Sequence, residues 1–225
     1  VLTVADEEIP LETPMTKNPP TLETSYKQIT ATCNQSGENI TKIYYAITSN
    51  GTDYSEWQES NVFKELEEDV LYGVKTKIVN ASGEQESELA ITYMPTYTVT
   101  LEENGVITYY KTVQDAINAA NAENKTEKSM ITLLNGQSTS KRIFVDTGKN
   151  IFLDLNGYNI SVINALGEDL YGIYNKGKLE MFNSGDYCGI EIIFQNESSD
   201  YRVYGIYNDN GTVIVNGVNM AVDTP

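Results

Sequence analysis

The stretch Tyr171-Gly172-Ile173-Tyr174-Asn175-Lys176-Gly177 decides the fold, because it returns as Tyr204-Gly205-Ile206-Tyr207-Asn208-Asp209-Asn210-Gly211, shifted by 33 residues. A second unit recurs around it. Phe152-Leu153-Asp154-Leu155-Asn156-Gly157-Tyr158-Asn159-Ile160 matches Thr212-Val213-Ile214-Val215-Asn216-Gly217-Val218-Asn219-Met220, and Leu179-Glu180-Met181-Phe182-Asn183-Ser184-Gly185 is a looser middle copy. Short aliphatic strands that end in Asn-Gly turns, with no helix between them, cannot bury their own apolar face and must stack on neighbours. The reading is a solenoid in which equivalent side chains lie about 4.8 Å apart, one strand spacing. That spacing predicts a hydrogen-bonded structural ladder of Asn156, Asn183 and Asn216 at one turn. With Ile173 and Ile206 in the bore, it also predicts an outward aromatic ladder of Tyr174 and Tyr207, a binding platform or simply a stack that holds coils together.

Upstream of the repeat, Tyr97-Thr98-Val99-Thr100-Leu101, the Asn104-Gly105 turn and Val106-Ile107-Thr108-Tyr109 read as a hairpin. A helix over 112–121 follows. Thr112 and Asp115 approximate a capping box, and Val113, Ala116, Ile117 and Ala120 form an i, i+3, i+4, i+7 stripe. The open first coil exposes an apolar bore that such a helix would cover. Val113-Gln114-Asp115-Ala116-Ile117, the strand Ile131-Thr132-Leu133-Leu134, Leu153-Asp154-Leu155-Asn156-Gly157 and the Gly-Ile-Tyr-Asn coils resemble the N-terminal part of pectin-lyase-like right-handed parallel β-helices, especially those of bacterial cell-surface proteins.

Further upstream the pattern changes to short period-two runs, Ile29/Ala31/Cys33, Ile43/Tyr45/Ile47, Val74/Thr76/Ile78 and Leu89/Ile91/Tyr93, with turn residues at Asn50-Gly51 and Ser82-Gly83. Leu66-Glu67-Glu68-Asp69-Val70-Leu71-Tyr72 resembles the tyrosine corner of fibronectin type III-like modules, in which the ring fills the sandwich end and the hydroxyl satisfies a backbone group. That family's early tryptophan is missing, and Trp57 follows the Asn50-Gly51 turn instead, so a bacterial immunoglobulin-like variant stays open. The expected organisation is all-β. An acidic, proline-broken tail occupies 1–18, a fibronectin III/Ig-like β-sandwich 19–95, and a right-handed parallel β-helix with one N-terminal capping helix 96–225.

Composition narrows function. The chain has 225 residues, 32 acidic and 15 basic, for a formal charge of −17, which disfavours nucleic acid and anionic membranes as partners. It has no histidine, so zinc sites and Ser-His chemistry lose their usual ligand and base. Cys33 and Cys188 fall in different expected domains, which argues against a disulfide. No apolar run is long enough to span a bilayer.

Candidate chemistry is sparse. Arg142 and Arg202 are the only arginines, and Asp154, between Leu153 and Leu155, reads as an outward, solvated side chain. Asn208-Asp209-Asn210-Gly211 suggests the start of a calcium loop but lacks the closing glutamate, so a turn is the better reading. No cofactor, metal or catalytic residue is expected. Eight Asn-x-Ser/Thr matches, beginning at Asn34, Asn39, Asn50, Asn80, Asn124, Asn159, Asn196 and Asn210, read as chance products of asparagine-rich turns rather than glycosylation sites. The resulting expectation is a non-catalytic, adhesin-like structural or binding module of a larger exported bacterial surface protein that continues past Pro225, with a glycan or a host or cell-surface protein as partner. The alternatives are the N-terminal part of a polysaccharide-active β-helix lyase or hydrolase, or a carbohydrate-binding module pair.

Overall fold

The computed structural model describes residues 14–121, 128–164, 170–194 and 203–223. Most of the expected tail, Arg202, Asn124 and Asn196 lie outside them. The chain divides into two compact units, Val1–Thr96 and Tyr97–Pro225.

The first unit is antiparallel. Its strands are β1 (Thr21–Ser25), β2 (Gln28–Thr32), β3 (Lys42–Thr48), β4 (Val62–Phe63), β5 (Val70–Asn80), β6 (Gly83–Glu86) and β7 (Ala90–Met94). One sheet runs β1-β2-β4; in the other, β5 pairs β3 on one side and β6 and β7 on the other. Both sheets contribute to a single core, with Ile29 and Ala31 from β2, Phe63 from β4, Tyr45 from β3, Tyr72 and Val74 from β5, and Met94 from β7. Inside it, the Thr76 hydroxyl donates to Gln35 Oε1 at 2.8 Å and the Thr76 amide to Ser87 Oγ at 2.9 Å, so buried polar groups are paired.

Two details of this unit go beyond what the period-two runs and turn residues state. Ile91 and Tyr93 face outward: Ile91 is 66% exposed and Tyr93 and Leu71, which pair in register, are 48% and 59% exposed, while Leu89, before the strand, is half-buried and Met94 fills the core. Asn50-Gly51 does turn the chain back on β3, with the Ser55 amide donating to the Ile47 carbonyl and Gln58 bridging Tyr45 antiparallel, but the turn is built by a side chain, Asn50 Oδ1 accepting the amides of Thr52 and Asp53, and among its residues only Gly51 has a positive φ, 81°. At the corner, Tyr72 Oη accepts the Glu67 amide at 3.0 Å. Tyr72→Phe keeps the buried ring and loses only this bond, so it is expected to cost about 1 kcal/mol in denaturant unfolding followed by Trp57 fluorescence.

The second unit begins with the hairpin β8 (Val99–Glu103) and β9 (Val106–Tyr110). Its turn residues Asn104 and Gly105 have φ of 53° and 74°, the two positive values a type I′ turn requires. Helix α1 (Val113–Ala119) follows; the Thr112 hydroxyl accepts the Asp115 amide, as an N-cap should, and donates to Asp115 Oδ2 at 2.7 Å, so the aspartate meets the cap through its hydroxyl, a partial capping box. Val113, Ala116 and Ile117 are buried in the same core as the strands that come after.

Those strands are β10 (Ser129–Leu133), β11 (Gln137–Thr139), β12 (Ile143–Val145), β13 (Asn150–Asp154), β14 (Ile160–Asn164), β15 (Leu170–Asn175), β16 (Lys178–Phe182), β17 (Gly189–Phe194), β18 (Val203–Asn208), β19 (Thr212–Asn216) and β20 (Asn219–Asp223). Every third strand joins the same sheet, giving β10-β13-β16-β19, β11-β14-β17-β20 and β12-β15-β18, all pairs parallel. The chain therefore winds in stacked three-strand coils, and the hairpin caps the first of them through an antiparallel β8-β10 pair. Inward rows stack one residue type per level: Ile131, Leu153 and Met181 are each 0% exposed in register, whereas Val215, the next in the row, is 39% exposed on the last coil. Burial of each such side chain stabilises the stack by about 1.5–3 kcal/mol, which a lone coil would forgo.

Candidate functional site

The β12-β15-β18 sheet aligns Phe144, Tyr174 and Tyr207 on one row and Ile143, Ile173 and Ile206 on the next. Ile173 is fully buried, and Tyr174 and Tyr207 lie outside with ring centroids 5.3 Å apart at 38°. Sequence reasoning missed Tyr171 and Tyr204. Strict alternation would place them inside with the isoleucines, but the register skips Gly172 and Gly205, and Gly172 and Ile173 are buried in succession. A Cβ on Gly172 would sit 2.2 Å from Ile192 Cδ1 and 3.0 Å from the Gly205 carbonyl oxygen, so with glycine here the Ile192 side chain packs directly against this strand. The resulting irregularity turns Tyr171 and Tyr204 outward as well. Spacing of three within Tyr-Gly-Ile-Tyr, with glycine between, was the available signal.

The five rings form one half-exposed aromatic face. Tyr171 lies 4.6 Å from Tyr207 and 5.5 Å from Tyr204, and it meets Tyr174 edge-on at 5.4 Å; Phe144 extends the row 5.7 Å from Tyr174. These are favourable offset and edge geometries, each adding about 0.5–1.5 kcal/mol beyond area burial. Cations flank the row: the Arg142 guanidinium lies 5.2 Å and the Lys176 ammonium 5.5 Å from the Tyr174 ring centre. The Tyr174 hydroxyl donates to Asp209 Oδ2 at 2.8 Å, and this bond to a carboxylate, with desolvation second, holds the phenol above the usual tyrosine range. Lys176 is 3.6 Å from the same oxygen.

The asparagine ladder lies elsewhere than expected. Sequence similarity aligned Phe152 with Thr212, but the stacking places Asn150, Lys178 and Thr212 in one row, two residues away. Asn216 consequently stands opposite Phe182 rather than Asn183, and Asn156 and Asn183 meet only through the Gly157 amide, which donates to Asn183 Oδ1 at 2.9 Å. The Asn156 side chain donates to the Leu133 carbonyl. The asparagines that do pair are Asn175 and Asn208, in register, with Asn175 Nδ2 donating to Asn208 Oδ1 at 2.7 Å and to the Gly177 and Thr212 carbonyls. Asn175 is completely buried and its Oδ1 has no partner among the described residues; the same row on the previous coil holds Val145, which has no donor to offer. Asn208 and Asp209 are thus engaged within the turn, and among the described residues no group of three His, Cys, Asp or Glu side chains is placed to hold a metal.

Asp154 also departs from expectation. It is 7% exposed, with Oδ1 accepting the Asn156 and Ser184 amides at 2.8 and 3.0 Å and Oδ2 accepting the Ser184 hydroxyl at 2.6 Å. It ties the turns of two successive coils together, because the outward row of β13 is covered by its neighbours: Asn150 and Phe152 are 9% and 6% exposed, with Lys128 over the Phe152 ring. Beside it, burial pushes the Cys188 thiol up, and the Asp154 charge adds to the shift. Cys33 and Cys188 are both free.

No family model and no curated protein matches the chain. Among solved structures, pectate lyase Pel3 from Pectobacterium carotovorum aligns at 13% identity and TM-score 0.27, over 89% of this chain and 65% of its own. Pectate lyase PelI from Erwinia chrysanthemi, crystallised with tetragalacturonic acid, aligns at 10% identity and TM-score 0.26, over 89% and 64%. The chain spans about 65% of the length of the first of these lyases. No described helix is long and apolar enough to cross a membrane.

Proposed function

We propose that the chain is a non-catalytic binding module of an exported bacterial surface protein, and that the tyrosine face recognises a glycan. The observation that carries this is the convergence of four tyrosines and Phe144 on one external sheet face, where a break in alternation at Gly172 and Gly205 sets two of the tyrosines beside the outward pair. Such a face presents ring edges and hydroxyls together, the mixed apolar and hydrogen-bonding surface that sugars offer in return. The non-catalytic part rests on the lack of histidine, on Asp154 being buried and saturated by turn amides, and on Arg142 being stacked on Tyr174. In the same reading, the coils form a right-handed β-helix, the hand that parallel crossovers almost always take, and the first unit is a fibronectin type III-like spacer.

Glycan-array binding followed by calorimetric titration of the best ligand tests it. The paired change Tyr174→Ala with Tyr207→Ala is expected to weaken binding about tenfold or more, while Tyr207→Phe retains it. Melting curves taken alongside separate lost recognition from lost folding. No bound glycan, or unchanged affinity in a folded alanine pair, would remove the reading.

A further inference from the structure

Where the coils turn from the tyrosine sheet into β13, β16 and β19, an open cleft of about 270 Å³ is lined by Lys149, Lys176 and Lys178 together with Asn150, Gly177 and Gly211. No carboxylate lines it, although acidic residues outnumber basic ones by more than two to one in the chain. The floor is backbone. A Cβ on Gly177 would lie 2.6 Å from the Asp146 carbonyl oxygen and one on Gly211 2.4 Å from that of Gly177, so neither position tolerates a side chain. The Lys149 ammonium donates to the Asn118 and Ala120 carbonyls and is fixed by the end of α1. Lys176 shares Asp209 with Tyr174, and exposed Lys178 has no carboxylate within ion-pair distance among the described residues.

We infer that this cleft is a binding site for a tetrahedral oxyanion, sulfate or phosphate, either free or as an ester on a polymer. Stacking brings lysines of two successive coils to one open surface, where an anion would meet Lys178, which no carboxylate among the described residues pairs, beside Lys176, which it would compete with Asp209 to hold. Lysine is a point charge with freely rotating donors, which suits the many-directional oxygens of a tetrahedral ion. A planar carboxylate is matched better by the arginine fork, and no arginine lines the cleft. The site does not depend on the glycan reading of the tyrosine face, since neither Lys178 nor the glycine floor belongs to that face.

The test is titration of the whole chain with sodium sulfate, sodium phosphate and dextran sulfate at constant ionic strength, with sodium chloride and uncharged dextran as blanks. Constant ionic strength is needed because sulfate raises the stability of most proteins without binding a site. The expected result is saturable binding that the pair Lys176→Gln with Lys178→Gln weakens about a hundredfold, about tenfold for each charge-assisted bond lost. Both side chains are at the surface, and an unchanged melting midpoint in chloride will confirm that the variant folds. Binding of the inorganic ions identifies a free anion as the ligand; binding of dextran sulfate alone, lost in the variant, identifies an esterified polymer. No saturable binding, or equal binding by parent and variant, overturns the inference.

Discussion

Asp154→Ala is expected to lower the stability of the coil unit by about 3 kcal/mol and its melting midpoint by roughly 10 °C, while leaving the first unit untouched. The carboxylate is buried and accepts three hydrogen bonds, two from backbone amides of successive coils. Removing it strands the Asn156 and Ser184 amides at the point where two turns meet, and each unsatisfied buried group costs about 1–3 kcal/mol; exposure of Ser184 moderates the total. The chain carries its own control. Trp57, the single tryptophan, belongs to the first unit, so its fluorescence reports that unit while far-ultraviolet dichroism reports both. A variant in which the fluorescence midpoint moved and the second transition did not would show that Asp154 is not the tie between turns.

Gly185→Ala is expected to cost a similar amount by a different route. The added Cβ would fall 2.4 Å from the Gly157 nitrogen, 2.6 Å from the Gly157 Cα and 2.7 Å from the Asn156 carbonyl carbon, all backbone atoms of the preceding turn. A flexible side chain could retreat, but a neighbouring turn held by its own hydrogen bonds cannot, so overpacking is expected to cost about 3 kcal/mol. Gly217→Ala is the matched comparison: it has a φ of 67° with nothing within 4 Å of the added atom, and only the left-handed backbone strain of about 1 kcal/mol applies. Denaturant midpoints of the two variants at unchanged m-value distinguish them; equal losses would show that the turns at 157 and 185 do not approach as closely as described.

These two sites illustrate why only part of the molecule was legible. The 33-residue recurrence of Tyr-Gly-Ile-Tyr-Asn, the Asn104-Gly105 hairpin and the Thr112/Asp115 cap could be read directly, because each depends on local chemistry: periodicity, positive φ, or a side chain meeting an amide three residues on. Tyr174 and Tyr207 were placed outward correctly because a two-residue period runs from Ile173 and Ile206. What the local pattern could not convey was which residue stands above which. Loops of unequal length leave the register to be settled by packing of the inward rows rather than by the recurring turn residues.

Register accounts for the misplaced ladder, and coverage and facing for the rest. The Asn156, Asn183 and Asn216 ladder fails by one residue at each step, because the strands stack 28 and then 34 residues apart (Asn150 to Lys178 to Thr212) whereas the asparagines recur after 27 and 33, and the pair that forms, Asn175 with Asn208, lies on the strand whose register the tyrosine motif marks. The leucines flanking Asp154 imply an outward side chain, yet an outward row in a stack is covered by the rows above and below it. Leu89, Ile91 and Tyr93 carry a period of two that specifies a strand, but nothing in that period states which face meets the other sheet.

By itself, then, the amino-acid sequence determined an all-β chain made of an antiparallel unit and a stack of parallel coils, acidic, without histidine, and with tyrosines on an outer row. Only the tertiary structure decided the register of the coils, the gathering of Tyr171 and Tyr204 beside Tyr174 and Tyr207, and the meeting of Lys149, Lys176 and Lys178 at one cleft. The division has a physical cause. Secondary structure and facing follow from contacts a few residues apart along the chain, whereas a surface assembled from successive coils exists only once residues about thirty apart have been brought within one strand spacing of each other.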